Sequence, residues 1–126
     1  HPFVPVHNAE LFACPQLPTT LPTLDELIGV DGITAENVVD HVLRMTGTPP
    51  PGGHVYTLHA ELEGMKLAPA FEKQLAGWRA QGYTLAALRD YADGLDLARL
   101  PRHIVLQGQI AGRAGTVALQ GKEFLT

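Results

Sequence analysis

Apolar residues recur at helical spacing in two long segments of the chain. They are Val38, Val42 and Met45 in the first segment and Phe71, Leu75 and Trp78 in the second. This spacing places each set on one face of a helix, and it predicts helices over residues 35–46 and 69–81. Pro69 suits the first turn of the second helix, and Gly82 follows its end. A shorter helix is predicted to end at Gly94.

The other apolar segments predict strands and turns. The run from Val55 to Leu62 is typical of a strand, and residues 103–119 alternate loosely around glycines, as a β-hairpin does. Residues 21–29 predict a single capped helical turn. Five prolines within residues 1–23 argue against a helix or a central strand there. The alternation of strands and helices predicts an α/β fold with a mostly parallel sheet.

Composition narrows the class of protein. A chain of 126 residues fits one domain with a core of its own. The formal net charge of −4 argues against nucleic acid as a partner, because no basic stripe is present. Cys14 is the single cysteine, so no intrachain disulfide forms and a reducing compartment such as the cytoplasm is the simplest location. No run of 18 apolar residues occurs.

The candidate chemistry lies at the end of the strand predicted from Val55 to Leu62. Alternation would place His59 and Glu61 on one face at its C-terminal end, where α/β folds build active sites. An imidazole beside a carboxylate suits general acid–base catalysis near pH 7. The alternative is a buried histidine with a satisfied hydrogen bond, with Glu61 and Glu63 as solvated loop carboxylates. The chain lacks serine, which excludes a Ser-His-Asp triad, and no metal-binding spacing of His or Cys occurs.

Three blocks in the chain resemble one family. They are residues 21–29 (LPTLDELIG), 55–64 (VYTLHAELEG) and 108–115 (GQIAGRAG). Together and in this order they are similar to the undecaprenyl-phosphate formamido-arabinose deformylases, a branch of the NodB-type polysaccharide deacetylases. The resemblance implies that residues 1–126 are the C-terminal part of a distorted (β/α) barrel of one NodB-type domain. The chain begins at His1 without a methionine, and we expect the N-terminal metal-binding half of that domain to lie outside it.

The resemblance also implies a function. The family's enzymes are metal-dependent amide hydrolases that remove formyl from undecaprenyl-phosphate 4-deoxy-4-formamido-L-arabinose, in lipopolysaccharide (lipid A aminoarabinose) biosynthesis and cationic-peptide antibiotic resistance. A divalent metal (zinc, manganese or cobalt) would be held by an Asp and two His outside this stretch. The implied partners are the lipid-linked amino-sugar phosphate, the N-terminal half and the membrane surface, at the cytoplasmic face of the inner membrane.

The family's last catalytic motif, a Leu-His pair, matches Leu58 and His59. The resemblance therefore implies that His59 is the general acid for the leaving amine and that Leu58 lines the acyl pocket. Glu61 and Glu63 match this branch in particular and are expected to bind substrate, with Glu61 on the amino sugar or orienting His59. Arg113 is a candidate for the substrate phosphate, or an ordinary surface arginine. Two other functions stay open: deacetylation of an N-acetylated polysaccharide or chitooligosaccharide, and a non-catalytic fragment or binding module.

Overall fold

A computed structural model describes residues 1–111 and 113–125 of the chain. The chain forms two compact units. The sheet unit contains residues 1–18 and 87–126, and the helical unit contains residues 19–86. Gly112, which belongs to the third block of the family resemblance, lies outside the described residues.

The sheet unit is built on four strands in the order β2-β1-β3-β4. They are β1 Val4–His7, β2 Glu10–Leu11, β3 Arg102–Gly108 and β4 Val117–Glu123. The predicted C-terminal β-hairpin is confirmed by the antiparallel pairing of β3 with β4. The prediction of a mostly parallel sheet is wrong, since within residues 1–111 and 113–125 the one parallel pair of strands is β1 with β3. The connections β1–β2 and β3–β4 are too short for a crossover, so these pairs return antiparallel.

Strand β1 lies inside the sheet although it contains Pro5. The sequence-based expectation that the prolines exclude a central strand is therefore wrong for this segment. Val4 N–H donates to Pro101 O at 2.9 Å on the β3 side, and Pro5 O accepts from Phe12 N–H at 3.0 Å on the other side. The backbone nitrogen of Pro5, which has no hydrogen to donate, therefore faces the two-residue strand β2. The hydrogen bonds between β1 and β3 are not affected by it.

The helical unit contains three α-helices: α1 Leu24–Leu27, α2 Val38–Met45 and α3 Ala68–Ala80. The two long predicted helices are confirmed, although α2 begins three residues later than expected. The short third helix is confirmed in the sheet unit as α4, Leu88–Asp93, followed by a 3-10 turn over Leu97–Arg99. Across the described residues, no helix has the length and apolar character needed to cross a bilayer.

The core of the helical unit forms where α1, α2 and α3 meet. Its buried members are Leu21, Leu24, Val38, Val39, Val42, Leu67 and Trp78. Thr46, at the end of α2, is fully buried, and its hydroxyl accepts a bond from Trp78 Nε1–H at 3.1 Å. This bond joins the C-terminal end of α2 to α3 and satisfies the one polar atom of the indole.

The strand predicted from Val55 to Leu62 is wrong. Residues 53–59 belong to no strand, and a helical turn begins at Ala60. Val55 bonds with Thr20 instead of a neighbouring strand: Thr20 N–H donates to Val55 O, and Val55 N–H donates to Thr20 Oγ1, both at 2.9 Å. A short apolar run is equally compatible with a strand and with a segment packed on a helical core. Here Tyr56 and Leu62 of the run pack against the helical core.

We expect Leu24→Ala to lower the free energy of unfolding by about 2–5 kcal/mol, because Leu24 is fully buried and its truncation leaves a cavity. Leu85→Ala is the matched control, since the Leu85 side chain is 43% exposed and its loss should cost less than about 0.5 kcal/mol. Urea unfolding followed by the fluorescence of Trp78, the single tryptophan, measures both. Equal effects of the two substitutions would contradict this assignment of the core.

Candidate active site around His59

The backbone of His59 is fixed on both sides by the turn that follows it. His59 O accepts hydrogen bonds from Leu62 N–H and Glu63 N–H, both at 2.9 Å. In return, His59 N–H donates to Glu63 Oε2 at 2.8 Å. With its donor and its acceptor both engaged, the His59 backbone has little freedom, and the direction of its Cα–Cβ bond is set.

Glu63 is a buried carboxylate. Its side chain is 2% exposed, and Oε1 accepts from Tyr56 O–H at 3.3 Å while Oε2 holds His59 N–H. The interpretation of Glu63 as a solvated loop residue is therefore wrong. The carboxylate of Glu63 is buried with two hydrogen-bond donors, His59 N–H and Tyr56 O–H, which satisfy it away from water. Its contact with substrate stays a prediction.

The turn after His59 is unusually wide. Residues Leu62–Lys66 form a π-helical turn, closed by a bond from Leu67 N–H to Leu62 O at 2.7 Å. Helix α3 begins immediately afterwards, with Pro69 in its first turn where a missing N–H costs nothing. Single π turns recur at functional sites because they re-aim the residues around them. Here the turn places Glu63 back under His59.

The His59 imidazole meets a second carboxylate, Asp25 of α1. Nδ1 of His59 lies 3.2 Å from Asp25 Oδ1, and the two side chains are 37% and 43% exposed. The Thr23 hydroxyl holds the pKa of Asp25 below its ordinary value, and the His59 ring acts in the same direction. An ionised carboxylate only accepts hydrogen bonds, so we assign a proton to Nδ1.

This assignment leaves Nε2 as the ring atom that exchanges protons. In the part of the chain that the structure describes, no residue forms a hydrogen bond with Nε2 of His59. Asp25 orients the ring, while the opposite edge remains accessible. The arrangement can therefore deliver a proton to a bound molecule at Nε2, or take one from it.

Sequence reasoning paired His59 with the wrong carboxylate. Glu61 is exposed and helical, so it does not share a strand face with His59, and its carboxylate forms no hydrogen bond within residues 1–111 and 113–125. The partner, Asp25, is 34 residues away along the chain. Its one sequence signal is its place in the first block of the family resemblance, because no local spacing relates it to His59.

The remaining predicted residues fall in two places. Leu58 precedes His59 and is 43% exposed, which leaves its side chain accessible at the site. Arg113 is exposed in the β3–β4 connection of the sheet unit, where its N–H donates to Ile110 O at 3.1 Å. The structure therefore brings together Leu58, His59, Glu61 and Glu63 in one segment of the helical unit, and Arg113 belongs to the other unit.

The described residues do not themselves provide a metal centre. Over positions 1–111 and 113–125, no three His, Cys, Asp or Glu side chains converge in a way that could hold a metal ion. His59 and Asp25 are engaged with each other, and Glu63 is engaged with two donors. The described residues therefore do not fit the divalent ion that the family resemblance implies, and that ion would be held by residues outside this chain.

We expect one of the three tyrosines to titrate late. Burial raises the pKa of Tyr56 to about 12, and the negative charge of Glu63 adds to the rise. The neutral phenol therefore stabilises the fold fully below about pH 10, and this contribution is lost as the pH rises through about 12. Ultraviolet titration of tyrosinate should show this late step, and Tyr56→Phe should remove it. Loss of an ordinary step near pH 10 in that variant would contradict the buried Tyr56–Glu63 bond.

The chain is similar to two curated bacterial proteins, both named "Probable 4-deoxy-4-formamido-L-arabinose-phosphoundecaprenol deformylase ArnD". The protein from Shewanella sediminis is 33% identical over 111 residues, which are 88% of this chain and 35% of the relative. The protein from Wigglesworthia glossinidia brevipalpis is 33% identical over 107 residues, 85% of this chain and 36% of the relative. No family model matches the chain. The resemblance seen in the three sequence blocks is thus confirmed: the chain is a relative of the ArnD deformylases over most of its own length, and it spans about a third of the length of the curated relatives it matches.

Proposed function

We propose that this chain carries the general acid of a carbohydrate deformylase. The substrate would be 4-deoxy-4-formamido-L-arabinose linked to undecaprenyl phosphate, as the names of its relatives indicate for those proteins. The observation that supports the proposal is the His59 ring, which Asp25 holds at Nδ1 while Nε2 remains accessible. When this ring is an imidazolium, Nε2 carries the proton that the expulsion of an amine requires.

The reaction divides into two bond changes. The oxygen of a water molecule bonds to the formyl carbon and gives a tetrahedral adduct, whose C–N bond then breaks. The leaving nitrogen takes the proton of His59 Nε2, so the amine departs as a neutral molecule and formate remains. The two protons of the attacking water leave through a base outside this chain, and one of them restores the proton of His59 while the other is released to solvent. The Asp25 carboxylate stabilises the imidazolium before the transfer and keeps the ring oriented during it.

Other parts of the proposal rest on the family resemblance. The divalent metal, zinc, manganese or cobalt, would be held by residues outside this chain. Leu58 would line the pocket for the small formyl group, Glu61 would bind the amino sugar and Arg113 would bind the phosphate. The lipid carrier places the reaction at a membrane surface, and we propose the cytoplasmic face of the inner membrane.

Two alternatives predict different outcomes. A deacetylase for N-acetylated polysaccharides or chitooligosaccharides would use the same His59 chemistry on a larger acyl group. A non-catalytic binding module would bind the sugar and leave it unchanged. Assay of formyl and acetyl substrates with the complete polypeptide that contains this chain separates the three, because only a deformylase releases formate.

We expect His59→Ala to lower kcat by about 100-fold or more in that polypeptide, because proton donation to the leaving amine is lost. KM should stay close to the wild-type value, since the ring acts on the leaving group and not on the bound sugar. His41→Ala, a half-buried histidine on α2, is the control. Turnover retained in His59→Ala would exclude the general-acid role.

We expect Asp25→Asn to lower kcat by about 10- to 100-fold, because an amide neither fixes the Nδ1 proton nor stabilises the imidazolium. The matched control is Asp40→Asn, which breaks another exposed ion pair, between Asp40 Oδ1 and Lys73 Nζ at 2.6 Å. Steady-state kinetics of both variants provide the comparison. Equal losses in the two would mean that Asp25 has no particular role at His59.

The lowered pKa of Asp25 also gives the sign of the acid response. Because the folded pKa lies below the unfolded one, the stabilisation by this carboxylate is complete above about pH 4 and is lost as the pH falls through the folded pKa. The Asp25→Asn variant should therefore lose less stability than the wild-type protein on acidification in that window.

A further inference from the structure

We infer that Glu63 is a positioning residue for His59 and not a substrate ligand, an inference that rests on the proposed function of His59. The carboxylate lies beneath the site and is 2% exposed. It holds the backbone of His59, not its ring, through the 2.8 Å bond from His59 N–H to Oε2. The family resemblance implies that Glu63 binds substrate, and it does not separate that role from the positioning of His59.

The backbone of His59 is fixed at both its donor and its acceptor. His59 N–H and C=O are both bonded within the turn, to Glu63 Oε2 and to the N–H groups of Leu62 and Glu63. Residues 53–58, which directly precede His59, belong to no strand, so no sheet hydrogen bonds hold this segment in place. The carboxylate of Glu63 therefore replaces the support that a strand would give to a catalytic residue.

The carboxylate of Glu63 is also linked to the core of the helical unit through Tyr56. Oε1 of Glu63 accepts from Tyr56 O–H at 3.3 Å. The Tyr56 ring meets Trp78 of α3 edge to face, with ring centroids 5.2 Å apart, and Trp78 is buried in the core. Glu63 thus connects the His59 backbone to the buried core of the helical unit.

The fixed backbone of His59 also affects the bond between its imidazole ring and Asp25. The bond between His59 Nδ1 and Asp25 Oδ1 joins two side chains that are each more than a third exposed. Such a pair is weak by itself in water, because solvent screens it and both side chains lose rotamer freedom. A fixed backbone on the His59 side lowers that entropic cost, so the ring stays at Asp25 with Nε2 directed outward.

The test uses Glu63→Ala and Glu63→Gln in the complete polypeptide, with Glu72→Ala as the control. Glu72 is an exposed glutamate on α3, nine positions further along the chain. Two readouts are combined: kcat and KM for the formamido sugar, and the tautomer of the neutral His59 ring from nitrogen NMR with labelled histidine. The His59→Ala spectrum assigns the resonance among the six histidines.

We expect Glu63→Ala to lower kcat by about 100-fold with KM close to wild type, because the proton donor is misplaced while the sugar contacts remain. The His59 ring should lose its preference for a proton on Nδ1. Glu63→Gln should restore most of both, since a neutral amide offers an oxygen to His59 N–H and an NH₂ to the Tyr56 oxygen. Glu72→Ala should match the wild-type protein.

A raised KM with an unchanged His59 tautomer in Glu63→Ala would overturn the inference and identify Glu63 as a substrate contact. Wild-type kcat and tautomer in a folded Glu63→Ala variant would overturn it as well. Should Glu63→Ala fail to fold, Glu63→Asp decides, because it keeps the charge but is one methylene too short to reach His59 N–H. Retained turnover in His59→Ala would overturn the proposed function alone, and the tautomer measurement still decides the role of Glu63.

Discussion

The packing of Trp78 between the helices is the constraint on which the candidate site depends. Trp78 is buried, and its indole N–H is bonded to Thr46 at the end of α2. Its ring supports Tyr56, whose hydroxyl reaches Glu63. No sheet holds the irregular segment before His59. The contacts from Trp78 to Tyr56 and from Tyr56 to Glu63 support it instead.

The two carboxylates next to His59, those of Asp25 and Glu63, lie in different environments. Asp25 is more than a third exposed and lies against the imidazole ring, and the Thr23 hydroxyl holds the pKa of its carboxyl below the ordinary value. Glu63 is buried and acts on the backbone of the same residue. Asp25 fixes the proton on Nδ1 of His59, and Glu63 fixes the position of the His59 backbone. An exposed carboxylate alone leaves the ring mobile, and a buried one alone leaves its tautomer undetermined.

The similarity to ArnD deformylases and the geometry support the same proposal in different ways. The names of the relatives state a substrate for those proteins, and the similarity covers most of this chain but only about a third of theirs. The geometry indicates which chemical step these residues suit, namely proton transfer at Nε2 of His59. Among the described residues, no three His, Cys, Asp or Glu side chains converge to hold a metal ion, so the metal of the proposed reaction would be held by residues outside this chain.

The sequence by itself determined the features that arise from local physics. The periodic apolar positions of α2 and α3 specify helices, because a 3.6-residue repeat buries one face in any suitable environment. Residues 103–119 likewise predicted the β3–β4 hairpin. The residue His59 itself came from the resemblance of its Leu-His pair to a family motif, and its ring is accessible where that role requires it.

Only the tertiary structure decided which groups meet. The run from Val55 to Leu62 has the composition of a strand, yet the helical core captures it, and Glu63 folds back under His59. Pro5 is accepted inside the sheet because its missing donor faces a strand of two residues. Asp25 reaches His59 from 34 positions away. Burial of a carboxylate and pairing across such a distance depend on how helices pack, and a local pattern carries no information about that packing.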